Sequence, residues 1–520
     1  MKVLNAEQMR AADAHAIEDL NIPSLTLMEK AATLVVEVLL RSHTEPVRTV
    51  VVCGKGNNGG DGLAVARLLK EREWSPQAVL IARAADLRGD PAVNWKRALD
   101  AGVDCAEDPD GANLQDLTAS CAVVVDALFG TGLSKPLEGV YSKAVQIINR
   151  AGKEVIAVDV PSGLSADSGA LSGPAVKATA TVALAALKCC HVLSPACRMC
   201  GEIFVEDIGI PVESTISVVR SRDIRRILPH RSVDTHKGTF GHAVIVGGST
   251  GKSGAPYLSG KAALRCGAGL VTVVCPSRIQ PVIASYGPEI MTHPAGHDSD
   301  VFDECDMAGL SAFLKSMSAV AIGPGMGTDS RTAQFFREIV ATIDAPLVID
   351  ADGLNLLAMD KSVILNRRPG STILTPHPGE MGRLLNCPAS AVQSDRIAAA
   401  TKLAVETRSV VVLKGFRTII AHSQADARIV LTGGPALASA GTGDILTGFI
   451  TGFLAQRLAP VEAAMAGTYL HGLVSNLFEQ RYPQQALNAL DILQWWHDAV
   501  AAVRNEIDIE GDYLKLHFEF

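Results

Sequence analysis

The chain has 520 residues, of which 48% are hydrophobic and 20% charged, and its formal net charge is −8. This length exceeds what one hydrophobic core normally supports, so two or three domains are expected. The negative charge and the lack of a Lys- and Arg-rich block argue against nucleic acid as the main partner. The start of the chain lacks the apolar stretch of a secretory signal, and no apolar run is long enough to span a bilayer, so we expect a cytoplasmic protein.

Helix and strand patterns alternate through the first part of the chain. Helical periodicity covers residues 6–19 and 27–40. Short continuous apolar runs, typical of strands buried on both faces of a parallel sheet, follow at residues 49–53, 78–82, 122–125, 155–158, 181–185 and 203–205. This alternation predicts a Rossmann-like, doubly wound α/β domain, in which ligands bind at the carboxyl ends of the strands.

Polar side chains lie in the loops that follow three of these runs. The loops are N-N-G-G-D-G at residues 57–62, D-A-L-F-G-T-G-L-S-K-P at 126–136 and D-V-P-S-G-L at 159–164. They contain the oxygen-bearing side chains of Asn58, Asp126 and Ser162, and hard cations prefer shells of oxygen ligands, so a bound cation is predicted here. The alternative is that Asp126 and Asp159 only cap the turns that follow them.

A second series of apolar runs follows a break in the pattern at residues 210–236, where we place the domain boundary. The runs are residues 243–246, 271–274, 320–322, 347–349, 372–374, 410–413, 418–421 and 429–431. The last two runs are predicted to form a hairpin at a sheet edge, and residues 445–505 are predicted to be almost entirely helical. We therefore expect one domain at residues 1–215 and another at residues 222–520.

A glycine-rich stretch, G-G-P-A-L-A-S-A-G-T-G-D-I-L-T-G at residues 433–448, runs directly into an apolar helical segment. Gly441 and Gly443 let backbone N–H groups close around an anion, and the helix beginning near Asp444 adds the positive end of its dipole. A carboxylate at such a place would repel a bound phosphate group, so the presence of Asp444 there needs a functional explanation. We therefore interpret Asp444 as a base or metal contact that acts on a hydroxyl near a nucleotide's terminal phosphate. The alternative is a glycine turn with an acidic cap.

Most of the eleven cysteines lie in apolar strand or helix patterns, where a reduced thiol packs as a small hydrophobe, so no disulfide framework is predicted. One cluster contains a C-x-x-C sequence and comprises Cys189, Cys190, His191, Cys197 and Cys200. Because a structural zinc site usually needs a second well-spaced pair, we favour a loop between strands over a zinc site.

Several motifs resemble one family. N-N-G-G-D-G-L-A-V-A-R, V-V-D-A-L-F-G-T-G-L and V-D-V-P-S-G-L look like the epimerase domain of NAD(P)H-hydrate repair enzymes. H-K-G-T-F-G-H-A-V-I-V-G-G-S, V-I-D-A-D-G-L-N-L-L, T-P-H-P-G-E-M-G-R-L, V-L-K-G and G-T-G-D resemble the ADP-dependent dehydratase of the same repair system, a ribokinase-like α/β domain. The resemblance covers nearly the whole chain, apart from the cysteine cluster and the tail at residues 511–520.

The resemblance implies that the N-terminal domain interconverts the R and S hydrates of NADH and NADPH. Potassium would be held by Asn58, Asp126 and Ser162, and Asp159 would be catalytic and contact the substrate. The substrate-binding residues of this domain would be Asn57, Asn58, Gly59, Gly60, Asp61, Gly130, Thr131, Gly132, Leu133, Ser134, Lys135, Pro136 and Asp159.

For the C-terminal domain, the resemblance implies phosphorylation of the ring hydroxyl of the S hydrate by ADP, with loss of phosphate to restore NAD(P)H and release of AMP. Asp444 would be catalytic, and one of Asp350, Asp352 and Glu380 would place a magnesium ion. The hydrate would be bound by Ala255, Gly325, His377 and Asp444. ADP would be bound by Lys414, Gly415, Phe416, Arg417, Thr418, Gly434, Gly441, Thr442 and Gly443. His377 has the alternative of being a hydrogen-bonded loop histidine.

Two other functions stay open from the sequence. A ribokinase-like vitamin kinase would share the glycine turn and Asp444, but it would use ATP and release a stable phosphorylated product. A non-catalytic, ligand-sensing N-terminal half is disfavoured by the presence of Asn58, Asp126, Asp159 and Ser162. The expected partners are the small molecules NADHX, NADPHX and ADP, with neither nucleic acid nor membrane, and we expect a homo-oligomer.

Overall fold

The computed structural model describes residues 1–133, 135–296, 298–303, 307–422, 424, 426–505 and 516–517. The chain divides into two compact units, Met1–Ser217 with Glu510–Phe520, and Val218–Ile509. The break at residues 210–236 contains regular structure that the sequence pattern did not predict, a strand at Ile216–Val219 and a helix at Ser221–Ile227. The expectations for Ser134 and for most of the tail at residues 511–520 fall outside the described residues.

The first unit contains a large parallel sheet and a separate pair of strands, β1 and β8. The strands of this unit are β1 Val3–Leu4, β2 Arg48–Cys53, β3 Ser75–Leu80, β4 Asp104–Glu107, β5 Val123–Ala127, β6 Glu154–Val158, β7 Ala180–Leu184, β8 Leu187–Lys188 and β9 Glu202–Glu206. Its helices are α1 Ala6–Ala14, α2 Ser24–Ser42, α3 Asn57–Lys70, α4 Asp90–Asp100, α5 Leu114–Ala119, α6 Gly139–Arg150 and α7 Cys189–Val192. Shorter turns are a π-helix at His15–Asp19 and 3₁₀ helices at Ala84–Asp86 and Ala196–Met199.

The main sheet of this unit has the order β9-β7-β6-β5-β2-β3-β4, with a strand at Leu516–His517 beside β9. All of these pairings are parallel. Alternate residues of β2 enter separate cores on the two faces: Val51 and Cys53 on one, Val50 and Val52 on the other. Connections leave β2 in opposite directions, so the strand order reverses between β2 and β5, and a ligand crevice is expected there.

The second unit contains a larger sheet. Its strands are β10 Ile216–Val219, β11 His242–Val246, β12 Leu270–Pro276, β13 Met291–Ala295, β14 Ala319–Ile322, β15 Leu347–Ile349, β16 Thr372–Leu374, β17 Val410–Leu413, β18 Thr418–Ala421 and β19 Ala427–Val430. Its helices are α8 Ser221–Ile227, α9 Gly254–Cys266, α10 Gln280–Ser285, α11 Met307–Lys315, α12 Ser330–Thr342, α13 Asp352–Met359, α14 Pro378–Leu385, α15 Ala389–Ser394, α16 Arg396–Thr407, α17 Thr442–Ala455, α18 Pro460–Arg481 and α19 Ala489–Arg504. Short 3₁₀ helices lie at Lys237–Phe240, Lys361–Ile364 and Pro435–Leu437.

This sheet has the order β10-β19-β18-β17-β16-β15-β14-β11-β12-β13. Pairings from β17 to β13 are parallel, whereas β18 pairs antiparallel with both β17 and β19. The predicted hairpin is therefore confirmed, but β10 lies outside it, so the hairpin is not at the edge. Strand β20 of the chain, Leu516–His517, belongs to the first unit.

Helix α17 packs closely on α9. A Cβ on Gly448 would lie 2.6 Å from the Cβ of Ala262, and one on Gly452 would lie 2.7 Å from the carbonyl oxygen of Ala263, so only glycine permits this approach. The packing fixes the first turn of α17, which carries Asp444. Among the described helices, none combines the length and the apolar character needed to cross a membrane.

Candidate active sites

The three polar loops of the first unit follow β2, β5 and β6, which are neighbours in the sheet. The first loop leads directly into α3, which begins at Asn57. A Cβ on Gly130 would lie 3.0 Å from Asn58 Oδ1, so the first and second loops are in contact. A Cβ on Gly59 would overlap the carbonyl oxygen of Gly54, which explains why glycine is needed at this point of the first loop. The structure thus brings the predicted loops together.

Asp126 and Ser162 form the centre of this loop cluster. Asp126 is fully buried and accepts hydrogen bonds from Ser162 Oγ at 2.6 Å, from Ser162 N at 2.8 Å and from Leu128 N at 3.3 Å. Burial raises the pKa of Asp126 to about 6, and these hydrogen bonds offset only part of the rise. The Ser162 hydroxyl also accepts from Phe129 N at 2.9 Å, so it joins the second and third loops.

The donor set fits a bound cation. The hydrogen-bond donors to Asp126 are neutral groups, and the Nδ2 atom of Asn58 is buried without a hydrogen-bond partner among the described residues. A buried carboxylate and an unsatisfied carboxamide are both costly. A monovalent cation with oxygen ligands would relieve the first of these costs, because it would neutralise Asp126, and it could take the Asn58 amide oxygen as a ligand.

Asp159, at the end of β6, is paired with a lysine that the sequence reasoning missed. Its Oδ1 atom accepts from the fully buried Nζ of Lys188 and from Leu184 N at 3.1 Å. The backbone of Asp159 has φ of 63°, an uncommon conformation for a residue with a side chain. The available signal was a lysine immediately after the apolar residues of β7 and β8, where a charge needs a buried partner.

The charge of Asp159 acts on two further carboxyl groups, those of Asp61 and Asp13. Burial, with the charges of Asp159, Asp13 and Asp90, raises the pKa of Asp61 well above its usual value. Burial, with the charge of Asp159 and against that of Lys188, raises the pKa of Asp13 to about 6. Asp61 belongs to the predicted substrate loop, whereas Asp13 lies on α1 and gave no recognisable motif.

In the second unit, a buried ion pair lies beside Asp444. Lys414 Nζ is 2.7 Å from Asp350 Oδ1 and 3.9 Å from Glu380 Oε2, and Thr447 Oγ1 donates to Asp350 Oδ2 at 2.6 Å. Burial would raise the pKa of Asp350, but Lys414 and the hydrogen bonds outweigh it and hold the pKa below its usual value. The positive charge of Lys414, which is predicted to bind ADP, is therefore already balanced by the carboxylates of Asp350 and Glu380. The role of Thr447 was not predicted.

Asp444 behaves differently from Asp350. Burial, followed by the charge of Asp350, raises the pKa of Asp444 to about 7, and Lys414 lowers it only in part. A carboxyl group with a pKa near neutrality is suited to take a proton from a hydroxyl. Its place in the first turn of α17 puts it beside backbone N–H groups that have no partner within the helix.

The glycine turn before α17 is held by the protein on one side and open on the other. Gly441 has φ of 86°, and a Cβ on Gly443 would lie 3.7 Å from Lys414 Nζ and touch little else. His471 Nε2 lies 3.0 Å from the carbonyl oxygen of Thr442, and burial lowers the pKa of His471 to about 4, so it is a neutral donor that fixes the turn. Gly434 N donates to Ser475 Oγ at 3.2 Å, so its amide already has a protein partner.

Of the residues predicted to bind the hydrate, Ala255 and Gly325 are in contact, and α9 connects Ala255 to the turn. A Cβ on Gly325 would lie 3.3 Å from the Cβ of Ala255 on α9. One helical turn further along α9, Ser259 Oγ donates to the carbonyl oxygen of Asp444 at 2.9 Å. His377 caps α14: its Nδ1 accepts from Gly379 N at 3.0 Å. Its hydrogen-bonded cap matches the alternative interpretation of this residue, although its imidazole is half exposed.

The predicted ADP loop connects β17 to β18. Phe416 is 46% exposed, and the Arg417 guanidinium lies 4.8 Å from the centre of its ring. Arg417 Nη1 donates to the carbonyl oxygen of Leu431 at 2.6 Å, and Thr418 Oγ1 donates to that of Gly415 at 3.0 Å. Two hydrogen bonds therefore tie this loop to the protein, and the Phe416 ring is partly exposed to solvent.

The cysteine cluster forms a short helix, α7, and a 3₁₀ turn between β8 and β9. Cys189, Cys190 and Cys200 are buried. In the described parts of the chain, no group of three or more His, Cys, Asp or Glu side chains is arranged to hold a metal ion. The segment connects two strands, as expected, but it contains regular turns rather than an irregular loop.

Two family models match the chain in the order predicted from its motifs. The family described as YjeF-related protein N-terminus matches residues 24–190, and that described as NAD(P)H-hydrate dehydratase matches residues 243–496. A Moorella thermoacetica protein named bifunctional NAD(P)H-hydrate repair enzyme Nnr is 39% identical over 526 residues, with 98% of each chain covered. The Escherichia coli protein of that name is 32% identical, over 94% of this chain and 92% of its own.

The chain belongs to the family of bifunctional NAD(P)H-hydrate repair enzymes. This confirms the resemblance drawn from the motifs, with the YjeF-related half first and the dehydratase half second. The structure itself confirms the α/β class, with a parallel, doubly wound sheet in the first unit and a mostly parallel sheet in the second. A solved structure, the ADP/ATP-dependent NAD(P)H-hydrate dehydratase of Bacillus subtilis co-crystallised with ATP and Mg²⁺, is 28% identical, with a TM-score of 0.47, and covers 56% of this chain and 100% of that chain.

Proposed function

We propose that this chain repairs hydrated NADH and NADPH: the first unit epimerises the R and S hydrates, and the second unit dehydrates the S hydrate with ADP. The observation that supports the dehydratase half is Asp444, a carboxyl group with a pKa near neutrality in the first turn of a helix, beside backbone N–H groups that have no partner within that helix. A residue that only caps a helix requires neither a raised pKa nor an open glycine turn beside it.

Dehydration begins at the ring hydroxyl. Asp444 takes its proton, and the oxygen attacks the terminal phosphorus of ADP, whose bond to the bridging oxygen breaks to release AMP. The ring then carries a phosphate ester, a far better leaving group than hydroxide. Loss of that phosphate with its bonding electrons, and of a proton from the adjacent ring carbon, forms the double bond of NAD(P)H. Ala255, Gly325 and His377 are proposed to shape the pocket for the nicotinamide ring; the close approach of Gly325 to Ala255 supports this for the first two.

ADP is proposed to lie with its phosphates on the first turn of α17, at Gly441, Thr442 and Gly443, and with its adenosine toward residues 414–418. The exposed ring of Phe416 offers a surface on which the adenine can stack. The Gly434 amide is bonded to Ser475, so Gly434 would contribute through its shape rather than through its N–H group.

Magnesium is proposed to accompany the nucleotide and to neutralise charge on its phosphates. Of the acids expected to place it, Asp350 has both oxygens hydrogen-bonded, to Lys414 and to Thr447. Asp352 and Glu380 are the remaining carboxylates, and Asp352 Oδ2 accepts from Lys252 Nζ at 3.0 Å. With no three-residue metal group among the described residues, the phosphates would supply most of the ligands.

In the first unit, Asp159 is proposed as the catalytic carboxylate of epimerisation, and residues 57–61 and 130–136 as the binding loops for the hydrate. Potassium would be held by Asn58, Asp126 and Ser162; Asp126 and Ser162 are fully buried, and the hydrogen-bond donors recorded for the Asp126 carboxylate are neutral groups. It would supply fixed positive charge that orders the loops. We also propose a cytoplasmic homo-oligomer; the described cysteines are thiols rather than disulfides, as expected in a reducing compartment.

The test of the dehydratase assignment is the fate of the phosphate. The purified chain is incubated with pure S hydrate and ADP, and NADH, AMP, inorganic phosphate and any phosphorylated organic product are quantified. We expect NADH, AMP and phosphate in equal amounts. A stable phosphorylated product from a hydroxymethyl heterocycle and ATP, with no NADH formed from the hydrate, would establish the vitamin kinase instead.

A further inference from the structure

A basic pocket, whose wall includes Lys153, Lys177 and Arg198, lies at the amino ends of β6, β7 and β9, which are neighbours in the sheet of the first unit. Its volume is about 430 Å³. The predicted substrate loops of this unit follow the carboxyl ends of β2, β5 and β6. Because β6 has five residues, roughly 15 Å of extended strand separates its pocket end from the end that leads to Asp159. The basic pocket is therefore separate from the epimerase site proposed above.

Three cationic side chains line this pocket, and no acidic side chain does. Lys153 precedes β6, Lys177 precedes β7, and Arg198 belongs to the 3₁₀ helix that precedes β9. Among the described residues, none of the three side chains makes an ion pair or donates a hydrogen bond. Glu154, the acid next to Lys153 in the chain, lies instead with its Oε2 2.8 Å from His43 Nε2. Three like charges on one concave surface attract anions, because no protein group balances them.

Another charged cavity of the same unit provides a contrast. It has a volume of about 830 Å³, and its wall, formed by α2, α3 and α4, carries acids as well as cations. Arg67 in this wall pairs with Glu29 and, at 2.6 Å, with Glu71. The protein balances the charge of Arg67 there, whereas it leaves the charges of the basic pocket for a ligand.

The backbone of the basic pocket also offers hydrogen-bond donors. Gly152 and Gly201 both have φ of 63°, and their N–H groups have no hydrogen-bond partner in the part of the chain that the structure describes. A Cβ on Gly152 would meet nothing within 4 Å, whereas one on Gly201 would overlap the carbonyl oxygen of Thr179. Asn149 Oδ1 accepts from Lys177 N at 2.8 Å and so fixes the segment that carries this lysine. Unpaired backbone N–H groups beside cations are typical of anion sites.

A phosphomonoester is the anion that best matches these groups. A phosphate group carries up to about two negative charges and three acceptor oxygens, and the planar guanidinium of Arg198 can bind two of those oxygens at once. The pocket has room for more than phosphate, since pockets for small organic ligands start at roughly 300 Å³. Ile148, Val155 and Ala178 form an apolar part of the wall, against which the organic group of the ester can pack.

We propose that the basic pocket is a second binding site of the first unit, for a small phosphomonoester whose phosphate group contacts Lys153, Lys177 and Arg198. A purely structural role is available to one of these cations, because Lys153 follows the C-terminus of α6 and can complement its dipole. That role does not extend to Lys177 and Arg198, which lie on two other segments. The site does not depend on the epimerase or the dehydratase function.

The test labels the lysines of the full chain with pyridoxal phosphate, a phosphomonoester whose aldehyde forms an imine with a neighbouring amine. The imine is reduced with borohydride, and the labelled peptides are quantified by mass spectrometry. We expect Lys153 or Lys177 to be labelled at least about tenfold faster than Lys70 and Lys96, two exposed lysines of the same unit, because the bound phosphate holds the aldehyde nearby. Pyridoxal, which lacks the phosphate, should show no such preference. AMP should slow the labelling, and inorganic phosphate should do so only at higher concentration, because it lacks the organic group.

Two double variants remove the same charge inside and outside the pocket: Lys177→Ser with Arg198→Ser, and Lys70→Ser with Lys96→Ser. Circular dichroism melting checks that both fold. The first should weaken the protection of Lys153 by AMP about tenfold or more, whereas the second should stay within about threefold of the parent. Equal labelling of Lys70, Lys96 and the pocket lysines, or full protection by AMP in the first variant, would overturn the proposal. Protection of Lys153 by an RNA oligonucleotide but not by AMP would also overturn it and assign this surface to nucleic acid.

Discussion

The ionisation of Asp444 is expected to set a steep acid limit on dehydration. Burial and the charges of Asp350 and Asp352 raise the pKa of Asp444 to about 7, against the effect of Lys414. A general base must be ionised, so activity is present above this pKa and is lost as pH falls through it. One pH unit below the pKa, roughly a tenth of the groups are ionised, so kcat/KM should be about tenfold lower near pH 6 than on the alkaline plateau.

The measurement is kcat/KM for pure S hydrate at saturating ADP, across about pH 5 to 9, with ADP affinity measured calorimetrically over the same range to separate the titration of the nucleotide. Asp352→Asn removes a like charge from the surroundings of Asp444 and should move the acid limb to lower pH. Asp444→Asn should lower kcat about a thousandfold and leave ADP affinity within about threefold. A parent profile that is flat down to about pH 5, with unchanged ADP affinity, would refute the assignment of Asp444 as the base.

Three other outcomes are expected. Gly443→Ala should fold normally but weaken ADP binding about tenfold, because its Cβ would enter the open turn, whereas Gly434→Ala should lower the melting temperature, because its Cβ would overlap the Glu479 carboxylate. When potassium is replaced by lithium, calorimetry should show weaker hydrate binding to the first unit of the parent chain, and no such difference for Asp126→Asn. If both proteins depend equally on the ion, Asp126 is not a ligand of the cation. Fragments 1–215 and 216–509, a division that keeps β10 whole, should each melt cooperatively, and failure of either to fold alone would contradict the two-domain expectation.

Much of the fold followed from the sequence because its central strands are buried on both faces. Continuous apolar runs predicted β2, β5 and β6, whose loops carry the site. The structure adds β4 and β13, which lie at sheet edges and lack such runs; β4 reads D-C-A-E, with exposed positions at both ends. The short segments at Ile216–Val219 and Ser221–Ile227 were also missed, since a strand of four residues and a helix of seven give too few turns of pattern.

The sites were predicted in part. Asn58, Asp126 and Asp444 could be recognised from the sequence because each lies in a glycine-containing motif. Asp13 and Lys188 did not, because their importance comes from tertiary contacts: Lys188 follows apolar strands, and Asp13 lies in an ordinary helix. The raised pKa of Asp61 likewise depends on carboxyl groups from separate segments, which only the fold brings together.

The most direct test of the central claim is the recovery of NADH absorbance from a mixture of R and S hydrates with ADP and Mg²⁺. The parent chain should convert the whole mixture to NADH. Asp159→Ala should convert the S fraction at the parental rate and then proceed only at the uncatalysed background, while Asp444→Asn should produce almost no NADH from either hydrate. Complete and rapid recovery by Asp159→Ala, or recovery by the parent chain without a nucleotide, would contradict the account of two linked repair activities on one chain.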